Sequence, residues 1–361
     1  MLSRLGPEDV IIPFTAYHSR ADLAAAYRSF GLDHERLASP VRLALPRPVL
    51  YDAWHRLSLP RVGRWCPDLA SADLVHAPSP AVPPRGRRPL VVTVHDAAFA
   101  LYPEAYPRRG LRFHQQGVDA AARRADLVIT GTQAAADEIS AHTRVAAHKL
   151  RVVPNGVDHI EADGDEVDRT LAQFGLADAP YVLWVGSLEP RKGVGTLISA
   201  FARQSSMTTT DGPSHRLVLV GPTGWLGGGA IDKSEILRLG NRFRSLGHVG
   251  ESQLRALYAG ADLFAFPSWH EGFGLPVLEA MVQGTAVMCS DLPVLREVAG
   301  GAAHFVRSGD VEQWTAALEE LLGRPALRSA LADAGRARAA DFSWERTAMA
   351  TRQVYVEALG G

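Results

Sequence analysis

Cysteine is scarce. The chain has two, Cys66 and Cys289, one in each half and in no metal-ligand spacing, which excludes a disulfide framework, suggests no zinc site and fits a reducing cytoplasm. Long apolar runs are missing as well. None approaches the roughly 20 residues that span a bilayer, and the N-terminus lacks the charged-then-apolar pattern of an export signal. Any membrane contact is therefore expected to be peripheral, at the inner face of the membrane. No arginine cluster is interleaved with aromatics as in a nucleic-acid stacking platform, and no G-x-G-x-x-G turn opens a helix as a nicotinamide oxidoreductase would require. What remains is a chain of 361 residues, 47% apolar and 21% charged with a net charge of −1, the profile of an ordinary globular protein of about two domains.

The near-neutral total hides an asymmetry. Residues 1–158 hold 20 Lys and Arg against 15 Asp and Glu, a balance of +5, whereas the remaining 18 against 24 give −6. The basic excess gathers at Arg85, Arg87 and Arg88, at Arg108, Arg109 and Arg112, and at Arg123 and Arg124. A solvated basic face explains this; so would an anionic partner, either a phosphate-bearing acceptor or an acidic membrane surface.

Short apolar runs alternate with helical patterns, which argues for repeated βαβ units and parallel sheets. The strand candidates of the first half are "VIIPF", "VRLAL", "ADLVHA", "PLVVTVHD", "ADLVITGT" and "LRVVPNG"; those of the second are "YVLWVGS", "HRLVLVG", "LGHVG", "ADLFAFP", "TAVMCS" and "AAHFV". Between the series lies the acidic, turn-forming "NGVDHIEADGDEVD". The expected organisation is a first α/β domain over 1–158, a linker over 159–178, a second domain over 179–342 and a final amphipathic helix over 343–361. Ligands of open α/β sheets bind beyond the carboxyl ends of the strands, so motifs at those ends carry most weight.

"HEGFGLPVLE", residues 270–279, occupies such an end. "ADLFAFPS" finishes a buried strand, "WHEGFG" turns on its glycines, and Pro276 suits the start of a helix that Gly284 stops. Glu271 then hangs from the loop and Glu279 lies one turn into the helix, whose N-terminus favours phosphate. Two carboxylates beside a phosphate site need hydroxyl-rich partners. A sugar nucleotide supplies both, each charge-assisted bond contributing about 1.5–3 kcal/mol. In "YVLWVGSLEPRKGVGTLISAF", Arg191 and Lys192 sit on the turn after a strand, where two cations could neutralise a departing diphosphate. In "VVTVHDAAFALYPE", His95 and Asp96 stand at another strand's carboxyl end, the imidazole able to bond a hydroxyl and the carboxylate able to orient it or to contact an acceptor. Tyr102, His114 and Thr132 are expected either to line the acceptor side or to pack nearby.

"HEGFGLPVLEAM" resembles the signature of the retaining family 4 glycosyltransferases of the GT-B fold, two Rossmann-like doubly wound domains facing across a cleft, with glutamates separated by seven residues. The resemblance implies that Glu279 grips the nucleotide ribose, that Glu271 contacts the donor sugar, and that the backbone of Phe273, Gly274 and Leu275 approaches sugar and phosphate. It further implies that Arg191 and Lys192 bind the diphosphate, that Val249 and Gly250 in "HVGESQLRALYAGADLFAFPS" hold the nucleobase, and that His95 contacts the transferred sugar. Ser187 departs from relatives that carry an arginine there, leaving one cation fewer. The implied activity is transfer of a sugar from a nucleotide-sugar donor to a glycan or lipid-linked acceptor with retention of configuration, by same-face attack, without a metal or cofactor. "GSLEPRKG" resembles mannosyltransferases, which favours GDP-mannose over UDP- or dTDP-linked sugars. A catalytically inactive nucleotide-sugar-binding relative is the alternative, because "MLSRLGPEDVIIPF" reads as a helix tail stopped by Gly6 and followed at once by a strand: the first strand and glycine-rich turn of the family are expected to be missing, through a start that lies upstream or through damage. "DFSWERTAMATRQVYVEAL" reads as a final amphipathic helix: the GT-B resemblance implies that it crosses back to the first domain, while its pattern alone equally fits an ordinary last helix of the second.

Overall fold

The structure, a computed structural model, describes residues 9–17, 40–64, 67–204, 215–222 and 233–360. The chain divides into two units, one formed by Met1–Gly156 with Trp344–Gly361 and one by Val157–Ser343. The expected missing first strand and glycine-rich turn fall mainly on residues 1–8, outside the described residues.

In the first unit, strands β1 (Phe14–Tyr17) and β2 (Val41–Pro46) pair in parallel as a two-stranded sheet. Helices α1 (Arg47–Leu57) and α2 (Pro67–Ser71) follow. A separate parallel sheet holds β3 (Val75–Ala77), β4 (Leu90–Thr93), β5 (Leu127–Thr130) and β6 (Leu150–Val152) in sequential order. Its connections carry α3 (Ala98–Leu101), α4 (Arg108–Arg124) and α5 (Gln133–His142). "VIIPF" does not itself form the first strand, because Pro13 has no N–H to donate; β1 begins at its last residue, Phe14.

The second unit starts with α6 (Gly164–Gln173), so the stretch expected as a linker carries a helix, capped by Asp163, whose carboxylate accepts the Asp165 N–H at 3.0 Å. Then come β7 (Tyr181–Val185), α7 (Val194–Gln204), β8 (Arg216–Val220), α8 (Lys233–Leu239), β9 (Phe243–Gly247), α9 (Glu251–Ala259), β10 (Leu263–Phe266), α10 (Leu275–Val282), β11 (Val287–Ser290), α11 (Pro293–Ala299), β12 (His304–Val306), α12 (Val311–Gly323) and α13 (Pro325–Ala339). All six strands run parallel in the order β12-β11-β10-β7-β8-β9. The strand expected at "LGHVG" lies earlier in the chain. β9 takes "FRSLG" instead, an edge strand only partly covered, which is why its period is hard to read.

Alternation within β7 builds the core of this unit. Leu183 and Val185 face the layer that holds Phe266 and Met281, while Val182 and Trp184 face the layer of Leu197 and Trp314. Burial on both faces is what makes β7, β10 and β11 continuous apolar runs rather than alternating ones.

The last helix, α14 (Trp344–Ala358), packs on the first unit's sheet, Val354 joining Val91, Leu127, Ile129 and Val153. Tyr355 and His76 share a hydrogen bond of 2.7 Å, the other ring nitrogen of His76 pairs with the Thr93 hydroxyl at 2.8 Å, and Thr347 donates to the Pro154 carbonyl at 2.8 Å. Among the described residues no helix is long and apolar enough to cross a membrane.

Candidate functional site

The strand order of the second unit reverses between β7 and β10: the chain leaves β7 toward β8 on one side and returns to β10 on the other. Loops that leave two such strands diverge to opposite faces and open a crevice at their carboxyl ends, where ligands of doubly wound sheets bind. The sequence puts "GSLEPRKG" and "HEGFGLPVLE" in these two loops.

Residues 186–193 leave β7. Glu189 begins a 3-10 turn over Pro190–Lys192, and Gly193 closes it with φ +63°. A Cβ at Gly193 would lie 1.9 Å from the Pro267 carbonyl oxygen, so only glycine permits the turn to close onto the loop that leaves β10. The Trp269 N–H donates to the Arg191 carbonyl at 2.8 Å and ties the loops together. After "WHEGF", Gly274 adopts φ +96° as the residue before α10 and Pro276 sits in its first turn. Among the described residues the N–H groups of Phe273, Gly274 and Leu275 have no hydrogen-bond partner, which leaves this helix start able to receive an anion.

The charged side chains meet across these loops. Lys192 Nζ donates to Glu271 Oε1 at 2.7 Å, with the two side chains 13% and 8% exposed. Lys192 also lies over the Phe266 ring, 5.6 Å from its centre. Glu189, buried, accepts the Ser187 hydroxyl at 2.7 Å and Arg191 Nε at 2.9 Å. The Ser187 position, one cation short on the sequence reading, therefore helps to hold the carboxylate that orients Arg191. Glu279, one turn into α10, accepts the Tyr258 hydroxyl at 3.0 Å through Oε2. Burial raises its carboxyl above the ordinary range, the acids Asp158 and Glu251 add to this, and the Tyr258 bond opposes it.

So Arg191 and Lys192 on the loop after β7 adjoin Glu271 on the loop after β10, where Phe273, Gly274 and Leu275 lead into α10, and Glu279 lies one turn further along that helix beside Tyr258. Val249 and Gly250 lie in the loop between β9 and α9, as β8 and β9 extend from β7. Gly250 caps α9: its N–H donates to Gln253 Oε1 at 3.0 Å, and its carbonyl accepts the Leu254 N–H at 2.9 Å. Sequence reasoning missed Glu189 and Tyr258. The first reads as a turn acid and the second as core.

His95 and Asp96 belong to the first unit, just beyond β4. His95 is exposed; the Thr130 hydroxyl approaches its carbonyl at 3.5 Å. Asp96 accepts the Ala98 N–H at 2.9 Å across the turn that leads into the short helix α3; no hydrogen bond joins it to the His95 ring, contrary to the orienting option. Glu138 of α5 holds the same loop by accepting the Ala97 N–H at 2.9 Å. Thr132 is buried as the cap of α5, accepting the Ala135 N–H at 3.1 Å, and His114 packs against Phe99 and Tyr106 at 5.9 and 5.3 Å; these are packing and capping positions. Tyr102 is partly buried and ends α3.

Comparison with known proteins agrees with the geometry. Residues 168–338 match the family model "Glycosyl transferases group 1" and residues 12–161 match "Glycosyltransferase Family 4". The chain is 30% identical to the O-antigen chain mannosyltransferase B of Escherichia coli over 332 residues, covering 90% of this chain and 83% of that one. Among solved structures, sucrose-phosphate synthase from Thermosynechococcus elongatus superposes with a TM-score of 0.71 at 21% identity, covering 98% of this chain and 96% of that one. Anabaena HepE, solved in complex with UDP and glucose, gives a TM-score of 0.67 at 22% identity, covering 97% and 99%. Two Rossmann-like units, the "HEGFGLPVLE" segment at the reversal point of the second and matches to both family models along the chain lead to one assignment: the chain belongs to the group 1 glycosyltransferases of family 4 and has the GT-B fold.

Proposed function

We propose that the protein is a retaining, metal-independent hexosyltransferase that moves mannose from GDP-mannose to a hydroxyl of a glycan or lipid-linked acceptor. One observation carries the reading: the Glu271/Glu279 segment and the Arg191–Lys192 turn adjoin at the reversal point of the second sheet, joined by the 2.7 Å Lys192–Glu271 pair. Glu279 accepts the ribose hydroxyls. Arg191, Lys192 and the start of α10 neutralise the diphosphate, and Glu271 positions the sugar.

Cleavage of the anomeric C–O bond passes through an oxocarbenium-like state while negative charge grows on the diphosphate, so cations fixed beside the phosphates stabilise that state more than the ground state. The acceptor attacks from the face the diphosphate leaves, and a diphosphate oxygen takes its proton. This chemistry requires no carboxylate nucleophile and leaves Glu271 free for positioning. Val249 contributes to the base pocket, and His95 and Asp96 act on the sugar and acceptor side. The 30% identity to an E. coli mannosyltransferase supports the choice of mannose. UDP- or dTDP-linked donors, or binding without turnover, are the competing readings.

A thermal-shift panel of GDP, UDP, ADP and dTDP, followed by incubation with the matching sugar nucleotides, tests this. GDP at 100 times its dissociation constant is expected to stabilise the protein by about 2.7 kcal/mol, and GDP-mannose is expected to be hydrolysed slowly or transferred with retention of the anomeric configuration. Stabilisation by UDP alone would replace the donor assignment, and binding of every donor without turnover would favour the inactive reading.

A further inference from the structure

Tyr258 has a part that the proposed reaction leaves unused. It lies on α9 with 1% of its surface exposed, its ring edge-on to Phe264 at 5.3 Å and 72°. A phenylalanine would fill that space equally well, and a buried phenol hydroxyl needs a partner. Its partner is Glu279 Oε2, at 3.0 Å. The Tyr258 carbonyl accepts the Thr285 hydroxyl at 2.6 Å, so the residue is fixed at both ends.

Among the described residues the Tyr258 hydroxyl supplies the one hydrogen bond to the Glu279 carboxylate. The other groups acting on Glu279 are two acids, Asp158 from the segment before α6 and Glu251 at the start of α9. A carboxylate held through one oxygen keeps a defined plane, with its second oxygen directed by the first.

We propose that Tyr258 is a positioning residue for nucleotide recognition: its hydroxyl anchors Oε2 of Glu279, so that Oε1 is set to accept the vicinal hydroxyls of the donor ribose. This rests on the assignment of Glu279 to the ribose. Two consequences follow. Without the phenol, the carboxylate rotates and its paired acceptance of two hydroxyls weakens. It also loses the bond that opposes its protonation, and a protonated carboxyl accepts poorly.

The test uses the full chain and its Tyr258→Phe and Glu279→Gln variants. Calorimetry compares GDP with 2′,3′-dideoxy-GDP from pH 5.5 to 8.5, or the UDP pair if the panel above selects UDP. The wild type is expected to prefer the ribonucleotide. Tyr258→Phe is expected to weaken GDP about tenfold, the size of one charge-assisted bond, with the dideoxy form unchanged. Its acidic loss of GDP affinity should move to higher pH, and the double variant should bind like Glu279→Gln alone. A purely structural role would weaken both nucleotides equally, and that result, or no change in either, overturns the proposal. If Glu279→Gln abolishes the ribose preference while Tyr258→Phe keeps it, the positioning role fails and the ribose assignment stands. If Glu279→Gln leaves the preference intact, the ribose assignment itself fails.

Discussion

At the scale of single residues, the Lys192–Glu271 pair is the feature of most consequence. Both side chains are nearly buried, so removing one partner strands the charge of the other. Glu271→Ala is expected to destabilise the second unit by about 3 kcal/mol and to reduce transfer about 10²-fold or more, whereas Glu271→Gln, which still accepts from Lys192, should keep most of the stability and lose the transfer. Denaturant titration of both variants beside a donor-turnover assay checks this; equal loss of stability would show that Lys192 needs the Glu271 charge and not merely an acceptor. Both acids and both cations were legible as a constellation in the sequence, because each motif has its own local logic of strand, glycine turn and helix start. Their pairing was not legible, since Lys192 and Glu271 are 79 residues apart and meet only because β7 and β10 are neighbours. Glu189 and Tyr258 escaped for other reasons: the partners of Glu189, two residues away on either side, follow from how the turn closes, and that of Tyr258 from how α9 is rotated against α10.

At the scale of elements, α14 is joined to β3 and β4 through His76, whose two ring nitrogens pair with Tyr355 and Thr93. Burial holds this imidazole down at about 4, with the nearby His95 adding to the effect. The folded chain thus binds fewer protons than the unfolded chain between about pH 4 and the ordinary value of 6.5, so stability is full above 6.5 and falls as pH drops through that window. The first unit is expected to lose up to about 2 kcal/mol between pH 7 and pH 5 from this group alone. His76→Gln should flatten that part of the profile in denaturant titrations followed at both pH values; an unchanged slope would remove His76 as its source. The C-terminal helix could be drawn from its periodicity. Its place in the first unit, after the whole second unit, could not, because helical spacing specifies a buried face and not what buries it.

At the scale of the whole molecule, the first unit carries the basic excess, and α1 exposes Val49 and Leu57 near Leu59, with Arg47, Arg56 and Arg61 also exposed on or beside the helix. Apolar side chains among arginines suit an anionic lipid surface, so the protein is expected to sediment with vesicles containing anionic phospholipid, to release as salt rises, and to bind less when Leu57 and Leu59 are replaced by serine. Equal sedimentation with neutral vesicles would assign the arginines to solvation alone.

The sequence by itself determined that the sheets are parallel, since strands buried on two faces must read as apolar runs, and it brought the glycine turns, cations and acids of the candidate site together at short spacing within each motif. Only the tertiary structure decided which strands stand side by side, and with that which of these charges touch. Pairing order is a property of the folded sheet, set by packing between segments that local sequence preferences never compare.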